Sequence, residues 1–170
     1  IWLTQILQGL AIKYAVEHWR MNKPRCMGAL YWQLNDCWQV ASWSSVDFFG
    51  KWKALHYAAR NFYNPLLVCG VEDLETDSVA IHVVNDLLEA KVLTLGWKVL
   101  GVDGKEFDAG SRKIRSAMNS TAVFKTLKLK KLVAEQGRRG LMVKLSLKDG
   151  RRLVSENLVT FARPKHLTLA

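Results

Sequence analysis

The chain has 170 residues, 49% hydrophobic and 24% charged, the profile of a folded globular protein rather than a disordered or fibrous one. Its formal net charge is +10. No apolar run approaches the ~20 residues that cross a bilayer, so no membrane partner is expected.

The basic excess is dispersed. Residues 1–65 carry seven Lys/Arg against three acidic residues, and residues 66–170 carry eighteen against twelve. In the dense run Lys125–Lys131 the lysines alternate with Leu127 and Leu129, as on the solvent face of a strand. Solvated faces explain this pattern better than a phosphate-binding patch, so no nucleic-acid partner is expected. Cys26, Cys37 and Cys69 form no CxxC pair and have no His at metal-ligand spacing, so they read as reduced thiols. His18, His56, His82 and His166 are scattered. No metal site and no cofactor is expected. No secretory signal is visible, and the compartment is left open.

Residues 2–20 read as an amphipathic helix. Leu3, Ile6, Leu7, Leu10, Ala11, Tyr14 and Ala15 recur at helical spacing, and Pro24 ends the pattern. Cys26–Gln33 is a short apolar run without alternation, which suits a strand buried on both faces in a parallel sheet. A second helix pattern begins near Trp52, with Leu55, Ala58, Ala59, Phe62 and Tyr63 apolar, and closes at Asn64-Pro65. Helix, buried strand, loop and helix form a repeating unit of an α/β barrel or doubly wound sheet. A parallel strand needs parallel neighbours, and residues 1–65 offer none. The chain is therefore expected to be the tail of a larger protein.

Six of the seven tryptophans (Trp2, Trp19, Trp32, Trp38, Trp43, Trp52) precede Pro65, and only Trp97 follows it. Beyond Pro65 the period becomes two. Strands are expected over Leu66–Val71, Val79–Val84, Lys91–Val102, Ala122–Leu129, Leu141–Leu147 and Leu153–Phe161. Turn signals at Glu72-Asp73, Asn85-Asp86, Val102-Asp-Gly104 and Lys148-Asp-Gly150 separate them. This spacing suggests an antiparallel sandwich of the immunoglobulin type. The expected fold class is α/β followed by all-β.

In barrels, residues at and just beyond the C-terminal end of each strand line the active site. Here that position holds Trp32, Gln33, Asn35, Asp36, Trp38 and Trp43. Indole faces stack on the apolar face of a pyranose, and amide or carboxylate groups pair with its hydroxyls. Trp32, at the strand's exit, is the preferred contact. Trp38 and Trp43 serve equally well to pack the loop onto a barrel. Asp47 is better read as the brace of the turn before Phe48.

Three segments carry a resemblance: Arg25-Cys-Met-Gly-Ala-Leu-Tyr-Trp-Gln-Leu-Asn-Asp-Cys-Trp38, Ala41-Ser-Trp-Ser-Ser-Val-Asp47 and Gly50-Lys-Trp-Lys-Ala-Leu-His-Tyr57. They closely resemble the C-terminal part of glycoside hydrolase family 2 β-mannosidases. The resemblance continues at lower density to Ser155-Glu-Asn-Leu-Val-Thr-Phe161 and Pro164-Lys-His-Leu167. Gln39 stands where that family has proline after the tryptophan.

The resemblance implies an exo-acting retaining β-mannosidase with a (β/α)8 barrel. Residues 1–65 would supply the barrel's last helix–strand–helix portion, and 66–170 a terminal immunoglobulin-like β-sandwich. Retaining enzymes use two carboxyl groups about 5–5.5 Å apart. The family's catalytic glutamates lie on strands upstream of Ile1, so no catalytic residue is expected here. Trp32 would correspond to the strand-eight tryptophan beneath the sugar of the −1 subsite. The implied partners are a β-mannoside or manno-oligosaccharide and the N-terminal part of the same enzyme. The alternative is a non-catalytic carbohydrate-binding or spacer module.

Overall fold

The structure is a computed structural model that describes residues 1–168. It divides into two compact units, Ile1–Asn64 and a second that begins at Pro65.

The first unit is built on α1 (Trp2–Met21) and α2 (Ala54–Phe62). Val16 of α1 packs with Leu55, Ala59 and Phe62 of α2, and Ile12, Ala29, Tyr31 and Ala58 complete this small core. Within the unit α1 therefore buries a different side from the expected stripe, since Leu3 is 82% and Leu7 67% exposed. The helix is apolar on more than one side, and α2 covers only the side bearing Ile12 and Val16. Arg20 is buried and closes the far end of α2, donating to the carbonyls of Phe62 and of Asn64 (2.9 Å). A cation suits this negative pole, where the last carbonyls lack partners.

The strand expected over Cys26–Gln33 is not formed. Met27, Leu30 and Trp32 are exposed, and the nearest sheet-like pairing is the isolated parallel bridge Asn35–Val46. A strand persists only where a neighbour takes up its backbone groups. Among the described residues of this unit no strand does so.

The second unit is an antiparallel sandwich. One sheet has the order β1 (Leu66–Asp73), β2 (Ser78–Asn85), β5 (Ser120–Lys128). The other runs β4 (Glu106–Ser116), β3 (Lys91–Gly101), β6 (Leu141–Asp149), β7 (Arg152–Thr160). Alternate residues point inward, as period two requires. Val79, Ile81 and Val83 from β2 meet Leu93, Leu95 and Val99 from β3 and Leu141, Val143, Leu145 and Leu147 from β6.

The six expected strands all form, within a few residues at their ends. Strand β4, helix α3 (Lys130–Gln136) and a 3-10 turn over Pro164–His166 were not expected. Strand β4 has only Ile114 and Ser116 buried, so a polar, charged edge strand shows no alternation to read. Helix α3 buries only Val133. The strand-face reading of the run Lys125–Lys131 is thus corrected at its end, because Lys130 and Lys131 begin that helix.

Lys125 is also not on the solvent face. Lys125 pairs with Ile81, which points inward, and stands two residues before the buried Leu127 on the same face of β5. Its ammonium lies 5.3 Å from the centre of the Trp97 ring, a cation–π distance. Trp97 in turn packs on Gly110 of β4, where an added Cβ would come within 2.3 Å of the ring.

Candidate functional site

Residues 33–53 form a loop whose backbone folds on itself. Ser45 N–H donates to the Gln33 carbonyl (3.0 Å), Val46 N–H to Leu34 (2.8 Å) and Asp36 N–H back to Val46 (3.0 Å). Val46 also bridges to Trp52, and Lys53 N–H donates to Ser45 (2.9 Å). Three short segments, around 34–36, 44–46 and 52–53, thus run side by side. The Trp32–Gln33 peptide is cis.

The connecting turn is organised by Asp47. Its Oδ1 accepts from the Phe49 N–H (2.9 Å) and the Lys51 N–H (2.8 Å). Gly50 follows with φ +81°, a left-handed value that a side chain would strain. Asp47 does the bracing expected of it.

Beneath the loop lie two polar clusters. In the first, Lys53 Nζ reaches Asp36 Oδ2 (2.8 Å), Ser44 Oγ (2.7 Å) and the Ser42 carbonyl (3.5 Å). Ser42 Oγ donates to the other carboxylate oxygen of Asp36. Asp36 is 4% exposed. The Lys53 ammonium, then the Ser42 hydroxyl, pull its carboxyl down to about 2, against the opposing effect of burial. In the second cluster, Tyr31 OH donates to Ser45 Oγ (2.8 Å), and Ser45 Oγ donates to the Leu34 carbonyl (2.9 Å). That uses the only proton Ser45 has, so His56 Nδ1, 3.0 Å away, is the donor of their contact. The His56 ring packs 4.4 Å from that of Trp52.

Above these clusters the aromatic side chains face outward. Trp32 is 75%, Trp38 64% and Trp43 59% exposed. Gln33 is half-buried, and Asn35 is exposed with its amide donating to the Asp36 carbonyl (3.1 Å). The six residues singled out from sequence thus fall into two groups. Five stand at the surface or its margin. Asp36 lies underneath, with both carboxylate oxygens engaged. Lys53, Ser42, Ser44, Tyr31 and His56 were not anticipated. The usable signal was that a buried carboxylate requires a cation and donors close by, but nothing in the sequence separates Lys53 from Lys51 in that role.

The chemistry available is limited. The carboxylates of the first unit are Glu17 on α1, Asp36 under Lys53 and Asp47 in its turn. Asp36 holds no proton to give near neutral pH, and it is shielded from solvent. The loop can stack on and hydrogen-bond to a ligand; its own groups form no acid/base pair. Among the described residues no group of three His, Cys, Asp or Glu could hold a metal ion. No helix there is long and apolar enough to cross a membrane.

An antiparallel sandwich preceded by a helical unit with an aromatic loop defines an immunoglobulin-like β domain. Residues 77–166 match the family model described as Mannosidase Ig/CBM-like domain, and the chain belongs to that family. The β-mannosidase of Capra hircus is 48% identical over 51% of this chain and 10% of its own length. β-Mannosidase A of Aspergillus oryzae is 29% identical over 97% of this chain and 19% of its own. Among solved structures, a β-D-mannosidase from Dictyoglomus thermophilum superposes with a TM-score of 0.87 at 30% identity. That match covers 99% of this chain and 20% of that one. The chain spans between about a tenth and a fifth of the length of these relatives.

Proposed function

We propose that the chain is the C-terminal part of a retaining, exo-acting β-mannosidase that removes terminal β-D-mannosyl residues. Residues 1–65 complete the catalytic barrel as its last helix–strand–helix portion, and residues 66–170 form the terminal β-sandwich. The observation that carries this reading is the aromatic wall: Trp32, Trp38 and Trp43 stand exposed over a floor of satisfied polar side chains. Exposed indoles on a rigid floor stack on a pyranose, with Gln33 and Asn35 at hand for hydroxyls. The relatives named β-mannosidase supply the sugar class.

Two further observations fit. The uncovered side of α1, with Leu3 and Leu7, is a face that neighbouring barrel elements would bury. The segment 26–33 would become a strand once parallel neighbours stood beside it. The catalytic carboxylates come from the rest of the enzyme, and the partners are that remainder and a β-mannoside. Neither nucleic acid nor membrane has a place in this function.

The experiment is hydrolysis of an aryl β-mannoside. The pure 170-residue chain releases no nitrophenol. The full-length enzyme does, and Trp32→Ala in it slows turnover and weakens binding. Hydrolysis by the isolated chain, or an unaffected Trp32→Ala enzyme, refutes the assignment.

A further inference from the structure

Lys53 sits at the N-cap of α2, a position where lysine is unfavourable. It offers no acceptor for the first free N–H groups, and no side-chain cap bond is made there. Its charge also lies at the positive end of the helix dipole. Helix stability therefore does not explain this residue. Its side chain turns away from the helix and under the loop. There it is 14% exposed beside an Asp36 side chain that is 1% exposed. A buried ion pair of this kind is weak evidence for stability, since an apolar pair of similar size often stabilises a fold as well or better. What it does enforce is one arrangement of the groups it joins.

Those groups are informative. Asp36 lies two residues before Trp38. Ser42 and Ser44 flank Trp43. One ammonium thus holds the chain on both sides of the aromatic segment, at 2.8 Å, 2.7 Å and 3.5 Å. Ser42 ties the carboxylate back to the same segment.

We propose that Lys53 is a positioning residue of the sugar-facing wall, clamping Asp36, Ser42 and Ser44 so that Trp38 and Trp43 are presented in one geometry. Asp36 is the anchor of that clamp and not a sugar contact. The inference rests on the function proposed above and adds to it a residue that touches no substrate.

The test has two readouts. In the full-length enzyme acting on an aryl β-mannoside, Lys53→Met raises KM about 10-fold or more, because misplaced binding groups cost that much. The change in kcat is smaller, and Lys53→Arg brings KM back towards the wild-type value. A purely structural lysine would lower the melting temperature and the yield of active enzyme without altering KM. If Lys53→Met does not fold, Asp36→Asn takes its place and gives a smaller rise in KM. The second readout is the indole N–H resonances of the full-length enzyme labelled with 15N-tryptophan. Lys53→Met moves those of Trp38 and Trp43 and leaves that of Trp97 in place. A wild-type enzyme that hydrolyses no β-mannoside sinks the assigned function, and the indole resonances still decide the clamp. A folded variant with wild-type KM and unmoved Trp38 and Trp43 resonances overturns the clamp alone.

Discussion

The carboxamide of Asn157, on β7, donates to the carbonyl of Val68, on β1, at 2.9 Å. These strands belong to different sheets, and each is an edge. Ser155 adds a second link, its hydroxyl accepting from the Val68 N–H at 3.1 Å. The peptide groups of a buried edge residue are thus satisfied by side chains from the opposite sheet, in place of a further strand. Asn157→Ala leaves the Val68 carbonyl without this donor. It costs about 1–3 kcal/mol, the usual penalty for orphaning a buried polar group. The urea midpoint falls accordingly, whereas the exposed Leu158→Ala leaves it nearly unchanged.

Gly110 and Trp97 give a second expectation. A Cβ at position 110 would lie 2.3 Å from the indole, so Gly110→Ala forces the ring outwards. Overpacking of this kind costs about 1–3 kcal/mol. The indole N–H resonance of Trp97 shifts, and those of Trp32, Trp38 and Trp43 do not.

Acid stability should reveal Asp36. Its carboxyl is held at about 2 in the folded chain against an ordinary 3.8. The folded pKa is the lower one, so the stabilisation is complete above about pH 4 and is lost as pH falls towards 2. Asp36→Asn flattens that limb of the unfolding curve for the helical unit.

The β-sandwich responds in a different window. Burial lowers the pKa of His82 from its usual 6.5, which favours the neutral ring. Stability from this group is present above pH 6.5 and declines as pH drops below it. His82→Gln removes this dependence, as measured by thermal unfolding between pH 7 and about pH 5.

Arg20 sets a fifth expectation, in the helical unit. Losing its hydrogen bonds to the Phe62 and Asn64 carbonyls costs about 1.5–3 kcal/mol per charged donor. Arg20→Met should therefore melt α2 at a lower temperature, measured by far-ultraviolet circular dichroism. Lys at this position reaches one carbonyl at most and recovers part of the loss.

Sequence periodicity revealed most of the sandwich because buried positions such as Leu141, Val143, Leu145 and Leu147 recur at every second residue without interruption. Strand β4 escaped because an edge strand can stay polar throughout. Lys125 was misplaced because its charge was read as pointing outward, although its place two residues before Leu127 puts it on the same inward face of β5. The helix α1 was visible, but its apolar residues lie on more than one side, so spacing alone could not say which side α2 would take. In the loop, residue type pointed outward for Trp32, Trp38 and Trp43 and misled for Asp36. A carboxylate beside indoles looks like a ligand group until the reach of Lys53 is known, and Lys53 lies seventeen positions further along the chain.

The three thiols differ in access. Cys69 is fully buried, Cys26 is half-buried with its Sγ donating to the Gly28 carbonyl, and Cys37 is exposed. Cys37 falls between Asp36, held in the floor, and Trp38, which points out of it. Alkylating reagents should react there first. A fluorophore or spin label attached at that thiol would report directly on the aromatic loop, and the fold supplies this handle without any engineered residue.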